Sequence, residues 1–337
     1  MSSSFFELLD SFIEKTILLS FSRVGYSIRR YSWTPEDVAV DMTGRTCIIT
    51  GANSGLGFEA SKQLARLGGR VVMLVRDPLK GERARQEVRQ YAGHSDVVLR
   101  VVDLSRLGDV RAFVDEFLRS ESRLDVLVNN AGVLLDERQC TEDGVEKTFA
   151  TNLLGPFLLT NLLLPLMMES KPARVINISS GGMYAQKLDL VRLRAEEGSF
   201  DGVIAYAQTK RAQVILTELW AERLSGTGIT FNAMHPGWVD TPGLQSSLPK
   251  FTRLMKPLLR TPAQGADTIL WLAVAPHLDS ISGKFWHDRR TRNIHKSSRT
   301  VSSPEQRLSL WKECVRLSGW VEEKRMENNL NEFLDTR

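Results

Sequence analysis

From residue 43 onward the chain alternates short, nearly continuous apolar runs rich in valine and isoleucine with longer stretches whose apolar positions recur every three or four residues. Uninterrupted apolar runs read as strands buried on both faces, and the recurrent stretches read as helices. The pattern predicts strands at 46–50, 70–75, 97–102, 126–129, 174–178, 229–234 and 283–286. Helices are expected at 55–67, 78–91, 107–120, 142–169, 203–225 and 262–275. Thr261-Pro262-Ala263-Gln264 has the form of an N-cap, a proline at the first helical position and a capping-box glutamine. Ser303-Pro304-Glu305-Gln306 repeats that form and opens a last helix carrying Leu308, Trp311 and Val315. Such alternation predicts an α/β fold, a doubly wound parallel sheet with right-handed crossovers. Ligands of such sheets bind beyond the carboxyl ends of the strands, where strand order reverses.

The front of the chain has a different pattern. Placed on a helix, Phe5, Leu8, Leu9, Phe12, Ile13, Ile17 and Leu19 share one broad face, and Glu7, Asp10, Ser11, Glu14 and Lys15 share the other. The charges exclude a spanning helix, and no small-residue cleavage site follows. Two readings stay open for residues 5–24: the apolar face docks on the protein body, or it makes peripheral contact with a membrane or a partner subunit. Arg23, Arg29 and Arg30 would suit an anionic membrane surface. Trp33-Thr34-Pro35-Glu36-Asp37 reads as a turn into the main domain. The expected organisation is an amphipathic extension at 1–42, one domain at 43–300, and a helical tail at 301–337.

Composition narrows the picture a little. Across 337 residues, 42% are hydrophobic and 25% charged, which fits a globular chain with a real core. The net charge of +4 is spread along the sequence, so nucleic acid is not an expected partner. Arg289, Arg290, Arg292 and Lys296 form one basic stretch that could face an anionic surface or cofactor phosphates. Cys47, Cys140 and Cys314 lie far apart, so neither a disulfide framework nor a metal site is expected. A reducing intracellular compartment follows, cytoplasmic, with membrane association as the variant. Asn177-Ile178-Ser179 has the glycosylation pattern but ends a buried run, where it is a poor acceptor.

Thr50-Gly51-Ala52-Asn53-Ser54-Gly55-Leu56-Gly57 ends the first expected strand and opens the first helix. That context makes a glycine loop a phosphate cradle, with unpaired N–H groups and a positive dipole end at the helix start. Gly51 would permit the tight turn, Gly55 the approach of a pyrophosphate, and Gly57 close helix–strand packing. At the end of the second strand Val75 stands where an NAD enzyme usually carries an acid, and Arg76 follows. Arginine offers charge-assisted bonds to a 2′-phosphate, so NADP(H) is favoured over NAD(H). Asp77 beside it is either a competing acid or plain helix-start chemistry. Asp103 and Leu104 follow the third strand near the adenine position, and Asn129-Asn130-Ala131-Gly132 ends the fourth with small residues and amides.

Tyr206 and Lys210 sit four residues apart on one expected helix face. A neighbouring cation lowers a tyrosine pKa and would make Tyr206 a usable acid or base near neutral pH. Thr50-Gly51-x-x-x-Gly55-x-Gly57, Asn129-Asn130-Ala131-Gly132, Ser179-Ser180, Tyr206-x-x-x-Lys210 and His235-Pro236-Gly237 follow one another in the order of the classical short-chain dehydrogenases/reductases. The chain resembles that family over about residues 43–290, and finer detail at Ser180-Gly181-Gly182-Met183 and Met234-His235-Pro236-Gly237-Trp238 narrows the likeness to one group within it.

The resemblance implies a Rossmann fold and hydride transfer between a nicotinamide cofactor and a carbonyl or alcohol. It implies that Tyr206 passes the proton, that Lys210 lowers its pKa and bonds the nicotinamide ribose, and that Ser180 holds the carbonyl oxygen. The second serine of the pair is the family's usual one, hence Ser180 over Ser179. Asn152 would hold a water relaying protons from Lys210. Pro236, Gly237, Val239 and Thr241 would hold the carboxamide, with His235 structural. The reach of 26 positions from Ser180 to Tyr206 is long for the family and resembles an insertion of the retinol-dehydrogenase-like branch, expected to reshape the pocket mouth. Residues 240–260 are expected to form a lid, where Phe251, Leu254, Met255 and Leu258 either meet an apolar ligand (steroid, retinoid or fatty aldehyde) or pack the lid down. The helices at 142–169 and 203–225 are the family's usual homodimer face, which the N-terminus or the insertion could block. The other class of function is a nucleotide-binding scaffold or redox sensor without turnover.

Overall fold

The computed structural model describes residues 3–94, 96–195 and 200–321, with side chains from Glu7 onward. Three helices open the chain, α1 (Ser3–Lys15), α2 (Ile17–Phe21) and α3 (Arg23–Arg30), followed by a 3-10 turn at Pro35–Val38. Strand and helix then alternate as expected: β1 (Thr46–Thr50), α4 (Gly55–Arg66), β2 (Arg70–Val75), α5 (Pro78–Ala92), β3 (Val97–Val101), α6 (Leu107–Ser120) and β4 (Val126–Asn129). The second half runs α7 (Lys147–Phe149), a π-helical turn (Ala150–Leu154), α8 (Gly155–Glu169), β5 (Ala173–Ile178), α9 (Leu190–Arg194), α10 (Gly202–Arg223) and β6 (Ile229–Met234). Two short helices, α11 (Pro242–Ser247) and α12 (Pro249–Met255), precede α13 (Pro262–Val274), β7 (Lys284–His287), β8 (Arg290–Thr291) and α14 (Pro304–Ser318). Both expected capping boxes form, at Thr261–Gln264 and Ser303–Gln306.

The described strands form one sheet in the order β3-β2-β1-β4-β5-β6-β7-β8, parallel except for β8. The chain winds out from β1 to β3 and returns on the other side of β1 with β4, which opens a crevice at the carboxyl ends. One face of the sheet packs against α6, α8 and α10, the other against α4, α5 and α13. β1, β4, β5 and β6 are buried throughout, as their sequences predict. β3 is an exception: it is the edge strand, only Val97 is fully buried, and Val101 lies open. β8 carries no apolar signal. It exists because Asp288 and Arg289 both adopt positive φ (52° and 56°), the hairpin turn that asparagine–glycine usually announces.

The expected helix over 142–169 begins only at Lys147, and its π-helical turn shifts the register at Asn152. The stretch Lys147–Glu169 is long and apolar enough to cross a membrane, yet 89% of its most apolar window is buried inside the protein. Across α8 and α10, the face expected for a second copy, lies α14: Trp311 stacks edge-on against Phe157 and Trp220, and Arg307 pairs with Glu218 and Glu222. The tail beyond Val321 falls outside the described residues.

The extension docks through a mixed face in which Ile13 is buried beside Asp10 and the half-buried Glu14. Leu8, Phe12, Ile17 and Leu18 point to solvent, while Asp10 and Glu14 of the polar face turn inward. Asp10 accepts from Arg29, Arg290 and Arg292, Glu14 from Arg29 and Lys296, and Glu7 from Arg290. Burial raises the Asp10 pKa, but Arg292 and Arg29 outweigh it and hold the group at about 2. Two expectations are thereby corrected. Arg29 faces no membrane; it is buried among Asp10, Glu14 and Asp288. Arg290, Arg292 and Lys296 bind the extension's carboxylates, and Arg289 binds Asp267, so none of the four serves the cofactor phosphates. The extension is held by these ion pairs, whose buried members cannot be separated cheaply, and by Ile13 and Phe21, while two leucines and two other apolar side chains stay in water.

Candidate active site

At the switch point a cleft of about 750 Å³ runs along the carboxyl ends of β1 to β6. Its walls include Gly51, Asn53, Ser54, Gly55 and Leu56 from the glycine loop, Arg76 after β2, and Asp103 and Leu104 after β3. Asn130, Ala131 and Gly132 follow from β4, and Pro236, Gly237, Val239 and Thr241 from β6. Gly57 stays outside the lining. A Cβ there would lie 2.6 Å from the Gly51 carbonyl and 2.5 Å from the Asn130 amide, so its role is the close packing of α4. Asn130 Nδ2 donates to the Thr50 carbonyl at 2.8 Å, and Thr50 Oγ1 accepts from the Asn130 and Ala131 N–H groups at 2.9 Å each. β4 thus braces the loop. Ser54 makes no side-chain cap, and the first-turn N–H groups of α4 have no intrahelical acceptor, which fits a dinucleotide pyrophosphate.

Asp77 is resolved by geometry. Its carboxylate caps α5, accepting from the Leu79 and Lys80 N–H groups at 3.0 Å each. Arg76 is exposed at the rim and forms no ion pair among the described residues.

At the other end Ser180, Tyr206 and Lys210 line the same cleft. Ser179 Oγ donates to the Lys210 carbonyl at 2.8 Å, while Ser180 lines the cleft with Tyr206 and its hydroxyl favours the ionised phenol. Tyr206 is half-buried and lines the cleft. The expected lowering of its pKa is not what the fold produces by itself: burial raises it, with Ser180 pulling the other way. Lys210 Nζ lies 5.5 Å from the Tyr206 ring centre and donates to the Ile178 carbonyl at 2.8 Å and Gln213 Oε1 at 3.0 Å. Both acceptors are neutral, and burial pushes the ammonium pKa down to about 7. Asn152 does not line the cleft. Its side chain clamps Val133, accepting from the N–H at 2.7 Å and donating to the carbonyl at 2.9 Å, and reaches Thr209 Oγ1 at 3.1 Å.

This geometry agrees with what the chain is similar to. A family model described as short chain dehydrogenase matches residues 45–250. Dehydrogenase/reductase SDR family member 12 of Bos taurus is 43% identical over 295 residues, covering 87% of this chain and 92% of its own. Retinol dehydrogenase 12 of Homo sapiens is 39% identical over 282 residues, covering 83% and 88%. A crystal structure of an uncharacterised protein from Mycobacterium paratuberculosis superposes with a TM-score of 0.68 at 30% identity, covering 85% and 97%. The chain belongs to the short-chain dehydrogenase/reductase family. It is therefore an oxidoreductase that transfers hydride with NAD(P)(H), and the narrower sequence likeness is to the family member 12 group.

In this short-chain dehydrogenase the extension reaches the site from behind. The Phe21 carbonyl accepts from the Trp238 N–H at 2.8 Å, and its ring packs edge-on against His235 at 4.3 Å. A Cβ at Gly181 would lie 2.4 Å from the Phe21 ring, so the turn after Ser180 closes on it. His235 is buried, accepts from the Gly237 N–H at 3.0 Å and stays outside the cleft, a structural place. The lid is formed by α11 and α12, but only Phe251 of its four expected contacts lines the cleft, and Leu254 is 79% exposed. Ser247 Oγ fastens the lid to the Leu134 carbonyl at 3.1 Å. The described part of the insertion packs on α10 and α14: Leu188 and Leu193 are buried and Arg194 pairs with Glu313. Residues 196–199 of it lie outside the described set. Gln213 and Phe21 were missed in the sequence. Gln213, a glutamine one turn after Lys210, was visible as a polar residue in an apolar helix, whereas Phe21 gave no signal.

Lys210 has a stability signature. Folding lowers its pKa from 10.5 to about 7, so between those values the unfolded chain binds more protons and stability rises with pH. Below about pH 7 both states are protonated and the buried ammonium costs the most. Lys210→Met is expected to raise the thermal midpoint at about pH 7, with the gap closing toward about pH 10. A midpoint below wild type at both ends of a calorimetric pH series would refute this.

Proposed function

We propose that this enzyme transfers hydride between NADP(H) and an apolar carbonyl or alcohol of the retinoid, steroid or fatty-aldehyde class, with Tyr206 as proton donor or acceptor. The observation that supports the reading is the meeting of Ser180, Tyr206 and Lys210 in one cleft, with the Lys210 ammonium buried and held beside the Tyr206 ring. The bound nicotinamide supplies the hydride. Ser180 holds the substrate oxygen against Tyr206, where charge develops. Tyr206 exchanges its proton with that oxygen, and the Lys210 ammonium stabilises the phenolate left behind. Asn152 keeps the turn after β4 in place through Val133. Arg76, free at the rim, takes the 2′-phosphate, and Asp77 does not compete because it is bound to α5. Leu134, Leu135, Val203, Trp238, Leu248 and Phe251 make the substrate end apolar. Relatives named retinol dehydrogenase support that class. The outward face of α1 and α2, with Leu8, Phe12, Ile17 and Leu18, is the peripheral membrane contact.

Tyr206→Phe is expected to slow NADPH oxidation about 10²–10⁴-fold over a panel of retinal, steroid ketones and long-chain aldehydes, with NADPH still bound. Equal null rates in both proteins, with NADPH bound, would favour the scaffold reading. Arg76→Ala should weaken NADPH binding about ten- to a hundred-fold and leave NADH unchanged, removing one charge-assisted phosphate bond. Fluorescence titration reads this, and a preserved NADPH preference would exclude Arg76 as the phosphate contact. Sedimentation with anionic liposomes should fall in Phe12→Ser; pelleting equal to wild type would refute membrane contact through this face.

A further inference from the structure

Gln213 lies three residues after Lys210 on α10, so the two side chains leave one helix face. It is only 3% exposed, and a carboxamide so placed is costly unless both ends find partners. Both do. Oε1 accepts from Lys210 Nζ at 3.0 Å, and Nε2 donates to the main-chain carbonyl of Asn152 at 2.8 Å. Four residues on stands Pro156, which has no N–H to close the ordinary helical bond to that carbonyl. Pro156, the π-helical turn and Gln213 therefore form one device, aimed at the ammonium. With Ile178 on its second N–H, Lys210 has one proton left for the cleft, on the side where a Cβ at Gly132 would lie 3.3 Å from Nζ.

We propose that Gln213 is a positioning residue that fixes the Lys210 ammonium and straps it to the Asn152 carbonyl, leaving one N–H directed at the cleft. The inference rests on Lys210 serving Tyr206 as described above. A carboxamide accepts at one end and donates at the other without carrying a proton across. Gln213 is thus a strut, and protons exchanged with Tyr206 leave Lys210 on its cleft side. Asn152, read in the sequence as the anchor of a relay, also anchors the strut through its carbonyl.

The test compares wild type, Gln213→Leu and Gln213→Glu by carbon-13 NMR of lysine-labelled protein, with Lys210→Met to assign the signal. Leucine removes one of two acceptors and should move the Lys210 titration midpoint down. Glutamate, nearly isosteric, places a carboxylate on the ammonium and should move it up by about one pH unit or more. The pH profile of kcat should shift in the same directions, and Gln213→Leu should lower kcat about ten- to a hundred-fold with KM little changed. A midpoint equal to wild type in both variants overturns the proposal, and the glutamate variant decides alone if leucine impairs folding. The NMR readout needs no turnover. Midpoints that move in a protein inactive on every substrate would support the strut and refute the functional assignment.

Discussion

Asp288 sits between two buried arginines, and much of the molecule is arranged around that carboxylate. Arg260 grips it through both terminal nitrogens at 2.6 and 2.8 Å, and Arg29 adds a third bond at 2.8 Å. Burial alone would raise its pKa; Arg260, His287 and Arg29 instead hold it well below the usual carboxylate range. Its backbone is left-handed, a conformation disfavoured for a residue with a Cβ. The three charges must stay together once out of water, because removing any one strands the others. Arg29 brings α3, Arg260 brings the end of the lid, and Asp288 brings the β7–β8 turn. Arg260 also donates to the carbonyls of Ser20, Ser22 and Pro236. The cluster thereby joins the N-terminal helices to the loop that forms one wall of the cleft.

This arrangement makes the extension part of the site even though it lies outside the stretch matched by the family model. Phe21 fills the space behind both the Ser180 turn and Trp238, and the Trp238 N–H is tied to its carbonyl. The same burial that gives the site its rigidity sets its electrostatics. The dry surroundings push Tyr206 up and Lys210 down, each toward its neutral form. The dipoles of Ile178, Gln213 and Ser180 are the chain's own means of opposing that tendency.

The strand positions, most helix boundaries and the cofactor loop were legible because each depends on local rules: apolar runs, caps, and glycine at a close approach. Ser180, Tyr206 and Lys210 were legible because their order and spacing survive in one dimension. The orientation of α1 was not. A helical wheel weighs apolar against polar faces, and here the arginines that draw Asp10 inward lie some 280 residues away at Arg290 and Arg292. The fate of Leu254 could not be seen either, since an amphipathic lid shows which residues are apolar but not which way the lid turns. That α14 lies across α8 and α10 was equally illegible, since the pattern of a helix shows its apolar face but not which neighbour that face covers.

The sequence by itself determined the doubly wound sheet, the family, and the identity of the residues that meet at the cleft, because periodicity and motif order are properties of neighbours along the chain. Tertiary structure alone decided which side chains lose their water. That loss turned Asp10 and Arg29 inward, bound Asp77 to its helix while leaving Arg76 free, and set Gln213 between Lys210 and Asn152. Desolvation depends on everything packed around a group, and no local pattern carries it.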